Sequence, residues 1–193
     1  MAGEIQLNGT SFASESSGTI TVNNGTIGGS VVFPSGHIIQ TVSDVFVASS
    51  ATTVSTTAND YLGSDLQCTI TPTATGNKLF IQAFVCGVYN NAVSGRGLHS
   101  GFAYDANFSS GNGTTIGSRA VISNHEGHTG ENDTIITNAY YSIVVTVGTQ
   151  APSAGSASII RPILQATGGD VQIGFVTGAG LGVYSMIVME IQA

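Results

Sequence analysis

The side chains best suited to chemistry lie in a short polar segment that contains His125, Glu126 and His128. Two imidazoles three residues apart, with carboxylates nearby at Glu131 and Asp133, could bind a transition metal. The zinc-protease pattern instead needs two histidines four residues apart on a helix, and glycines interrupt the segment here. We therefore expect an exposed polar loop and no bound metal or other cofactor, with His125 and His128 as the ligands of the metal-site alternative.

Carboxylates offer a second route to catalysis, because a pair of them can hydrolyse a glycosidic bond. Asp44, Asp60 and Asp65 are candidates, but carboxylates in loops are usually only solvated. No Gly-x-Ser-x-Gly elbow between a strand and a helix is present. The sequence therefore predicts a protein that is not an enzyme.

Aromatic side chains beside polar loops could contact sugars, because ring faces and neighbouring amides are what a carbohydrate site uses. The candidates for receptor contact are Tyr104, Phe108, Asn112 and His125. They lie in or beside two polar segments, 107–116 and 124–133, which we expect to be exposed connections. The alternative for Tyr104 is a place on one face of a strand over 97–106.

Charged residues are scarce. They make up 8% of the 193 residues, against about 25% in an average soluble domain. The chain has four basic residues and a net charge of −7, whereas a nucleic-acid binder needs clustered Lys and Arg to neutralise phosphates. We therefore expect no nucleic acid as a main partner. No segment approaches the roughly 20 apolar residues of a membrane helix, so we also expect no membrane insertion.

Apolar runs of strand length, separated by Gly, Asn, Ser and Asp, predict an all-β fold without helices. An opening hairpin is predicted over 18–23 and 29–33, with its turn at Asn24-Gly25. Further strands are predicted over 37–48, 66–73, 78–90, 97–106, 117–123, 134–147, 157–166, 171–176 and 183–192. This pattern is typical of an antiparallel β-sandwich of the jelly-roll type. A break at 34–36 separates an N-terminal attachment arm, 1–36, from the jelly-roll, 37–193.

Two of these strands, 79–89 and 183–191, are apolar on both faces. An antiparallel sheet that faces solvent has one polar face, so both strands need a second cover. No helix is predicted that could cover these faces, so we expect a subunit interface to cover them. The expected assembly is a homotrimer. The predicted interface residues are Leu79, Ile81, Val85, Ile187 and Met189. Asp at Val85 or Ile187 should dissociate or unfold the protein.

Several segments resemble the small fibre or knob proteins of tailed bacteriophages. They are 66–72 (LQCTITP) with 77–81 (NKLFI), 160–169 (IRPILQATGG) and 185–191 (SMIVMEI). The opening segments 18–22 (GTITV), 29–34 (GSVVFP) and 37–40 (HIIQ) resemble the entry to such knobs. The order of strands is also similar to that of the trimeric jelly-roll of C1q and tumour necrosis factor heads, which assemble about an inner sheet. The resemblance implies a virion location, and this family has no catalytic motif.

The sequence thus predicts a phage virion structural protein, a trimeric fibre or knob. Its expected partners are its own copies, other virion proteins docked by 1–36, and host-surface polysaccharide at the distal loops. Two alternatives stay open. One is a capsid decoration or cement protein that stabilises the head, and the other is a carbohydrate-binding lectin module.

Overall fold

The computed structural model describes residues 4–7, 10–16, 19–22, 34–49, 52–54, 60–61, 66–90, 97–109, 113–124, 135–149, 151–167, 171–173 and 182–193. The chain divides into two compact units, Met1–Pro34 and Ser35–Ala193. The sequence placed a boundary after Gly36, two residues further along.

The first unit contains a three-stranded antiparallel sheet. Its strands are β1 (Glu4–Leu7), β2 (Thr10–Ser16) and β3 (Thr19–Val22), with β2 in the middle. β3 falls within the predicted strand 18–23, but it pairs with β2, where no strand was expected. β2 is rich in Ser and offers little apolar periodicity to detect. The predicted partner strand 29–33 and the Asn24-Gly25 turn lie outside the described residues.

The second unit is built from eleven strands among its described residues. They are β4 (Ile38–Val47), β5 (Thr52–Val54), β6 (Asp60–Tyr61), β7 (Cys68–Ile70), β8 (Lys78–Asn90), β9 (Gly97–Asp105), β10 (Thr114–Asn124), β11 (Ile135–Thr146), β12 (Ser158–Thr167), β13 (Val171–Ile173) and β14 (Val183–Ile191). Nine of the predicted strands overlap these elements. β5 and β6, of three and two residues, are too short to give a periodic signal.

These strands form two antiparallel sheets. The β9 sheet has the order β10-β9-β12-β6, with β7 also paired to β12. The β8 sheet has the order β4-β14-β8-β13-β5, with β11 paired to β8. Every ladder is antiparallel and the described residues contain no helix. The predicted all-β antiparallel sandwich is confirmed.

One hydrophobic core lies between the two sheets of the second unit. The β8 sheet contributes Leu79, Ile81 and Val188, and the β9 sheet contributes Phe102 and Ile160. The ring of Phe102 stacks on that of Tyr141 from the opposite sheet, with centroids 5.2 Å apart. Period-two alternation places these side chains inside, because successive residues of a strand point to opposite faces.

The predicted exposed loop over 107–116 is wrong at its C-terminal end. β10 begins at Thr114, which pairs with Tyr104, and Ile116 pairs with Phe102. Ile116 is fully buried in the core. One apolar residue in a run of Ser, Asn, Gly and Thr gave no strand signal, and the pairing with β9 is what makes this segment extended.

The chain end of the second unit is held by a buried carboxylate. Oε1 of Glu190 accepts hydrogen bonds from the backbone N and Oγ1 of Thr73 at 2.8 Å and from Nδ2 of Asn77 at 2.7 Å. Its Oε2 accepts one from Nε2 of Gln40. Gly36 and Gln192 add backbone bonds, in which Gly36 N donates to Gln192 O and Gln192 N donates to His37 O. The carboxylate therefore ties β14 to β4 and to the 71–77 turn.

Candidate functional site

The outer surface of the β8 sheet is the most unusual surface of the described chain. Along β8, Leu79, Ile81 and Val85 are buried in the core, whereas Phe80 and Phe84 between them are half-buried on the other side. β14 alternates in the same way, with Tyr184, Met186 and Val188 inside and Ser185, Ile187 and Met189 outside. Both strands are therefore apolar on two faces.

We call this outer surface the open face. Its residues include Phe80, Phe84, Ile187 and Met189 on the two inner strands, and Val45, Tyr140 and Val144 on the two outer strands. The strand registers align them in rows across four strands. One row contains Val45, Ser185, Phe84 and Tyr140. Four residues further along each strand, a parallel row contains Thr41, Met189, Phe80 and Val144. The open face is thus a continuous surface and not a set of separate side chains.

Exposed large apolar side chains concentrate on the open face. Among the described residues there are six such side chains, between 42% and 62% exposed. They are Ile38, Val45, Val47, Tyr140, Val144 and Val183. All six lie on the outer side of β4, β11 or β14, as their pairing partners show. Single exposed apolar residues are ordinary, but a contiguous group of them marks an interaction surface.

The open face also has a shallow depression of about 380 Å³. It is lined by Ser43, Asp44, Val45, Gln82, Phe84, Tyr140, Ser185, Met186 and Ile187. Nε2 of Gln82 donates a hydrogen bond to the hydroxyl of Tyr140, which positions the ring at the rim. Asp44 is engaged elsewhere, since its Oδ2 accepts the backbone N–H of Gln67 at 2.9 Å. Apart from Asp44, the residues that line the depression carry no charge.

Charge is nearly absent from the open face. Among its described residues the charged side chains are Lys78, at one end of β8, and Asp44, on the edge strand β4. Nζ of Lys78 donates to Oγ1 of Thr146 at 2.6 Å, and the two carboxylate oxygens of Asp44 accept the backbone N–H groups of Val45 and Gln67. A second copy of the chain can therefore approach this surface without like-charge repulsion, although the chain carries a net charge of −7.

The structure corrects the prediction of which side chains form the subunit interface. Leu79, Ile81 and Val85 are buried in the core of a single chain, and none is more than 2% exposed. They cannot offer surface to a partner. Ile187 and Met189 do lie on the open face. Sequence periodicity shows that a strand has two apolar faces, but it does not say which face the other sheet of the same chain covers.

Sequence reasoning missed the most exposed members of the open face, Tyr140, Val144 and Val45. A signal was present in 140–145 (YYSIVV), where both alternating sets contain apolar residues, as they do in 79–89. In the structure Val145 is buried while Tyr140 and Val144 are exposed. Because this strand too is apolar on both faces, its sequence predicts a second covered surface that includes these residues.

Of the four predicted receptor contacts the structure describes two, Tyr104 in β9 and Phe108 shortly after it, and β9 belongs to the sheet opposite the open face. Tyr104 is half-buried and packs against the core. Phe108 is half-buried, and the guanidinium of Arg161 covers its ring with Cζ 4.3 Å from the centroid. Arg161 also donates from Nε and Nη2 to Oε1 of Gln67. Asn112 and His125 lie outside the described residues, so no contact is assigned to them.

The metal-site alternative falls on residues the structure does not describe, since His125 and His128 are both outside the described ranges. Within those ranges no group of three or more His, Cys, Asp or Glu side chains is arranged to hold a metal. The described residues contain no helix that is long and apolar enough to cross a membrane.

Comparisons with known proteins find likenesses of fold at low similarity. The Eiger tumour necrosis factor of S. frugiperda is 12% identical, with a TM-score of 0.44, over 81% of this chain and 94% of that chain. The infectious bursal disease virus Gx strain structure is 13% identical, with a TM-score of 0.36, over 89% of this chain and 37% of that chain. A family 35 carbohydrate-binding module from Clostridium thermocellum is 15% identical, with a TM-score of 0.32, over 76% and 96%.

No family model and no curated protein sequence matches the chain. The solved structures similar to it include β-sandwich domains of signalling, viral and carbohydrate-binding proteins, and at these identities they carry no argument about activity. The class of protein defined by the fold is an antiparallel β-sandwich with one apolar open face.

Proposed function

We propose that the chain is a non-enzymatic structural protein of a bacteriophage particle, a fibre or knob, that assembles as a homotrimer through the open face. The observation that carries this proposal is the position of the exposed apolar side chains. All six in the described chain lie on one face of one sheet.

Leaving such a face in water is unfavourable. Burying apolar surface is worth roughly 25 cal/mol per Å², and this chain has little charge elsewhere with which to stay dispersed. Covering the open face removes from solvent the six exposed large apolar side chains of the described residues. Within the described chain no helix is available to cover it.

A second copy of the chain is the occupant that the face fits. Four paired strands span about 19 Å, and β8 from Lys78 to Cys86 extends about 30 Å. The outline is on the order of 550 Å², and a side-chain surface exceeds its flat outline. This approaches the roughly 800 Å² that each partner contributes to a stable interface. The neutral centre of the face allows copies to meet without repulsion.

Two further observations support the threefold and virion parts of the proposal. The segments 66–72, 160–169 and 185–191 resemble phage fibre knobs. The composition of the chain, with 8% charged residues, is typical of virion proteins and also of lectins and secreted adhesins. In this proposal residues 1–36 attach the knob to other virion proteins.

Light scattering of the full chain tests the assembly. We expect a mass of three times 19.6 kDa. The variant Val144→Asp should be monomeric, because it places a charge within the contact. The matched control Thr69→Asp, at an exposed strand residue of the other sheet, should stay trimeric. A monomeric wild type would overturn the assembly, and a dimer would overturn the threefold arrangement.

Thiol alkylation gives an independent readout. Cys86 is half-buried on the open face and Cys68 is buried, and both are free. We expect Cys86 to react slowly in the wild type and faster in Val144→Asp. Cys68 should react in neither, since burial, together with nearby Asp44, raises its pKa to about 12. Equal rates at Cys86 in both proteins would contradict burial of the open face.

Images of phage particles labelled at this protein test its location. Label on a tail or fibre supports the fibre or knob, and label on the head surface supports the decoration alternative. Particles without label would overturn the virion assignment.

A further inference from the structure

A second concave surface lies at one end of the sandwich, beside strands of the β9 sheet. It has a volume of about 320 Å³ and is found where β9 ends and where β10 and β12 begin. The polar and aromatic lining residues are Tyr104, Asp105, Thr114, Ser153, Ser156 and Ser158. We call it the Tyr104 groove.

The walls of the Tyr104 groove are held in place by backbone contacts. In the 151–157 turn, Gly155 N donates to Pro72 O at 2.7 Å, and Gly148 N donates to Pro152 O at the start of the same turn. On the other side, Oδ1 of Asp105 accepts the backbone N–H groups of Asn107 and Phe108. A preformed site of this kind loses little entropy when a ligand binds.

The close approach at Gly113 strengthens that wall. Gly113 has a φ of +65°, and a Cβ there would lie 2.7 Å from both the backbone oxygen of Tyr104 and Cε1 of Phe108. Only glycine allows the chain to pass so near to β9. The turn after Asp105 is therefore packed onto the strand and capped by Arg161 over Phe108.

The groove combines three kinds of group that recognise polyols. Tyr104 supplies part of an aromatic ring, Asp105 supplies a carboxylate, and Thr114, Ser153 and Ser156 supply hydroxyls at exposed positions. Hydroxyls both donate and accept hydrogen bonds, and a carboxylate accepts them. The backbone N–H groups of Asn107 and Phe108 lower the pKa of Asp105, so this carboxylate is ionised at neutral pH.

We propose that the Tyr104 groove binds a neutral hexopyranose unit of a polysaccharide. The volume lies at the lower end of the range of ligand pockets, about 300–1,000 Å³, which suits one or two sugar rings. The lining residues include a carboxylate and no cationic side chain, so anionic saccharides are disfavoured. The sugar ring would pack on Tyr104 while its hydroxyls bond to Asp105 and the serines.

The biological meaning of this site rests on the proposed role at a particle surface, because a shallow groove binds a sugar weakly. A trimer presents three such grooves, and three linked sites multiply a weak affinity when the ligand is a repeating polymer. Binding of a short saccharide to one groove does not itself require the trimer.

The test is a ligand-observed NMR titration of the full chain. The probes are neutral trisaccharides, one each of glucose, galactose, mannose and N-acetylglucosamine, and a galacturonic acid trisaccharide as the anionic comparison. We expect at least one neutral probe to bind and the anionic one to bind at least tenfold more weakly. Ser156→Arg, which adds a long cationic side chain beside Asp105, should weaken neutral binding at least tenfold.

Two variants complete the design. Ser49→Arg carries the same change at an exposed residue beyond the far end of β4 and should bind as the wild type does. Asp105→Asn keeps an oxygen to accept the turn N–H groups but removes the charge, so discrimination against the anionic probe should fall at least tenfold. Absence of binding by every neutral probe, a preference for the anionic probe, or equal binding by Ser156→Arg would each overturn the groove as a sugar site.

Light scattering of the same samples separates this inference from the proposed function. A trimer that binds no sugar contradicts the Tyr104 groove alone. A monomer that binds a neutral sugar contradicts the assembly alone.

Discussion

At the scale of single residues, Glu190 is the charged group on which the second unit depends most. It is fully buried and receives four hydrogen bonds from Gln40, Thr73 and Asn77. Burial by itself raises the pKa of this carboxyl, but the hydrogen bonds to its charged form outweigh burial and hold the pKa below its ordinary value of 4.5. The ionised form is therefore built into the fold.

We expect the free energy of unfolding to fall in acid because of Glu190. A carboxyl with a lowered pKa in the folded state contributes stability that is present above 4.5 and is lost as the pH falls through the folded-state value. Glu190→Gln should lower the free energy of unfolding at neutral pH by about 1–3 kcal/mol. Its Nε2 would face the donor Nε2 of Gln40.

Urea denaturation at a series of pH values measures this effect. The deficit of Glu190→Gln relative to the wild type should shrink as the pH falls below 4.5, because protonation removes the advantage of the wild-type carboxylate. A deficit that is constant with pH would mean that Glu190 acts by packing and not by charge.

Tyr184 leads to the opposite prediction. Its ring is buried and stacks on Phe46, with centroids 5.8 Å apart, and burial, with a smaller effect of Cys86, raises its pKa to about 12. Among buried side-chain polar atoms of the described residues, the Tyr184 hydroxyl alone lacks a hydrogen-bond partner. Tyr184→Phe keeps the stack and removes the unpaired group, so it should raise the free energy of unfolding by about 1 kcal/mol.

The matched control for Tyr184→Phe is Tyr140→Phe, which removes a hydroxyl that accepts a bond from Gln82 and should not stabilise the protein. Both are measured by chemical denaturation at one protein concentration. A loss of stability in Tyr184→Phe would show that the buried hydroxyl has a partner in solution.

At the scale of elements, β8 and β14 each serve two surfaces. Their inward residues fill the core, and their outward residues form the open face. Substitutions of inward residues and of outward residues should therefore have different effects on folding and assembly, although the sequence alone does not distinguish the two sides.

We expect Val85→Asp to unfold the second unit and Ile187→Asp to leave it folded but monomeric. A carboxylate at Val85 would enter the core at a cost on the order of 4 kcal/mol or more, a large part of the stability of a typical domain. In a monomer of Ile187→Asp, the new carboxylate lies on the open face and is exposed to water. Circular dichroism reports the fold and light scattering reports the mass. A folded Val85→Asp protein would contradict the assignment of the core face.

At the scale of the whole molecule, the two units have separate hydrogen-bonded sheets. The hydrophobic core of the second unit is formed by side chains of its own two sheets. The chain ends of this unit are joined by the backbone bonds of Gly36, His37 and Gln192. The second unit therefore contains the elements that it needs to fold.

A chain that begins at Ser35 should melt in one cooperative transition and keep the same oligomeric state as the full protein. The open face belongs wholly to the second unit, so removal of the first unit leaves the contact intact. Calorimetry and light scattering check the two parts. A truncated chain that folds as a monomer would show that Met1–Pro34 contributes to assembly.

Much of the fold was predictable from sequence because strand formation here is governed by local patterns. The strands over 78–90 and 183–191 were predicted within a residue or two, since nearly continuous apolar runs of strand length that follow Asn77 and Gly182 specify both the element and its start. The missed strands are β1 and β2 in the first unit and the short β5 and β6. Their extended conformation depends on pairing with a neighbour and not on an apolar period.

The sequence by itself determined that this chain is an all-β sandwich and that two of its strands are apolar on both faces. Only the tertiary structure decided which face is the core. The core face is the face against which the β9 sheet packs, and the residue types of β8 and β14 do not distinguish it from the open face. For the same reason the open face, with Tyr140, Val144 and Val45 as its most exposed residues, and the Tyr104 groove became visible only after distant strands had been brought together.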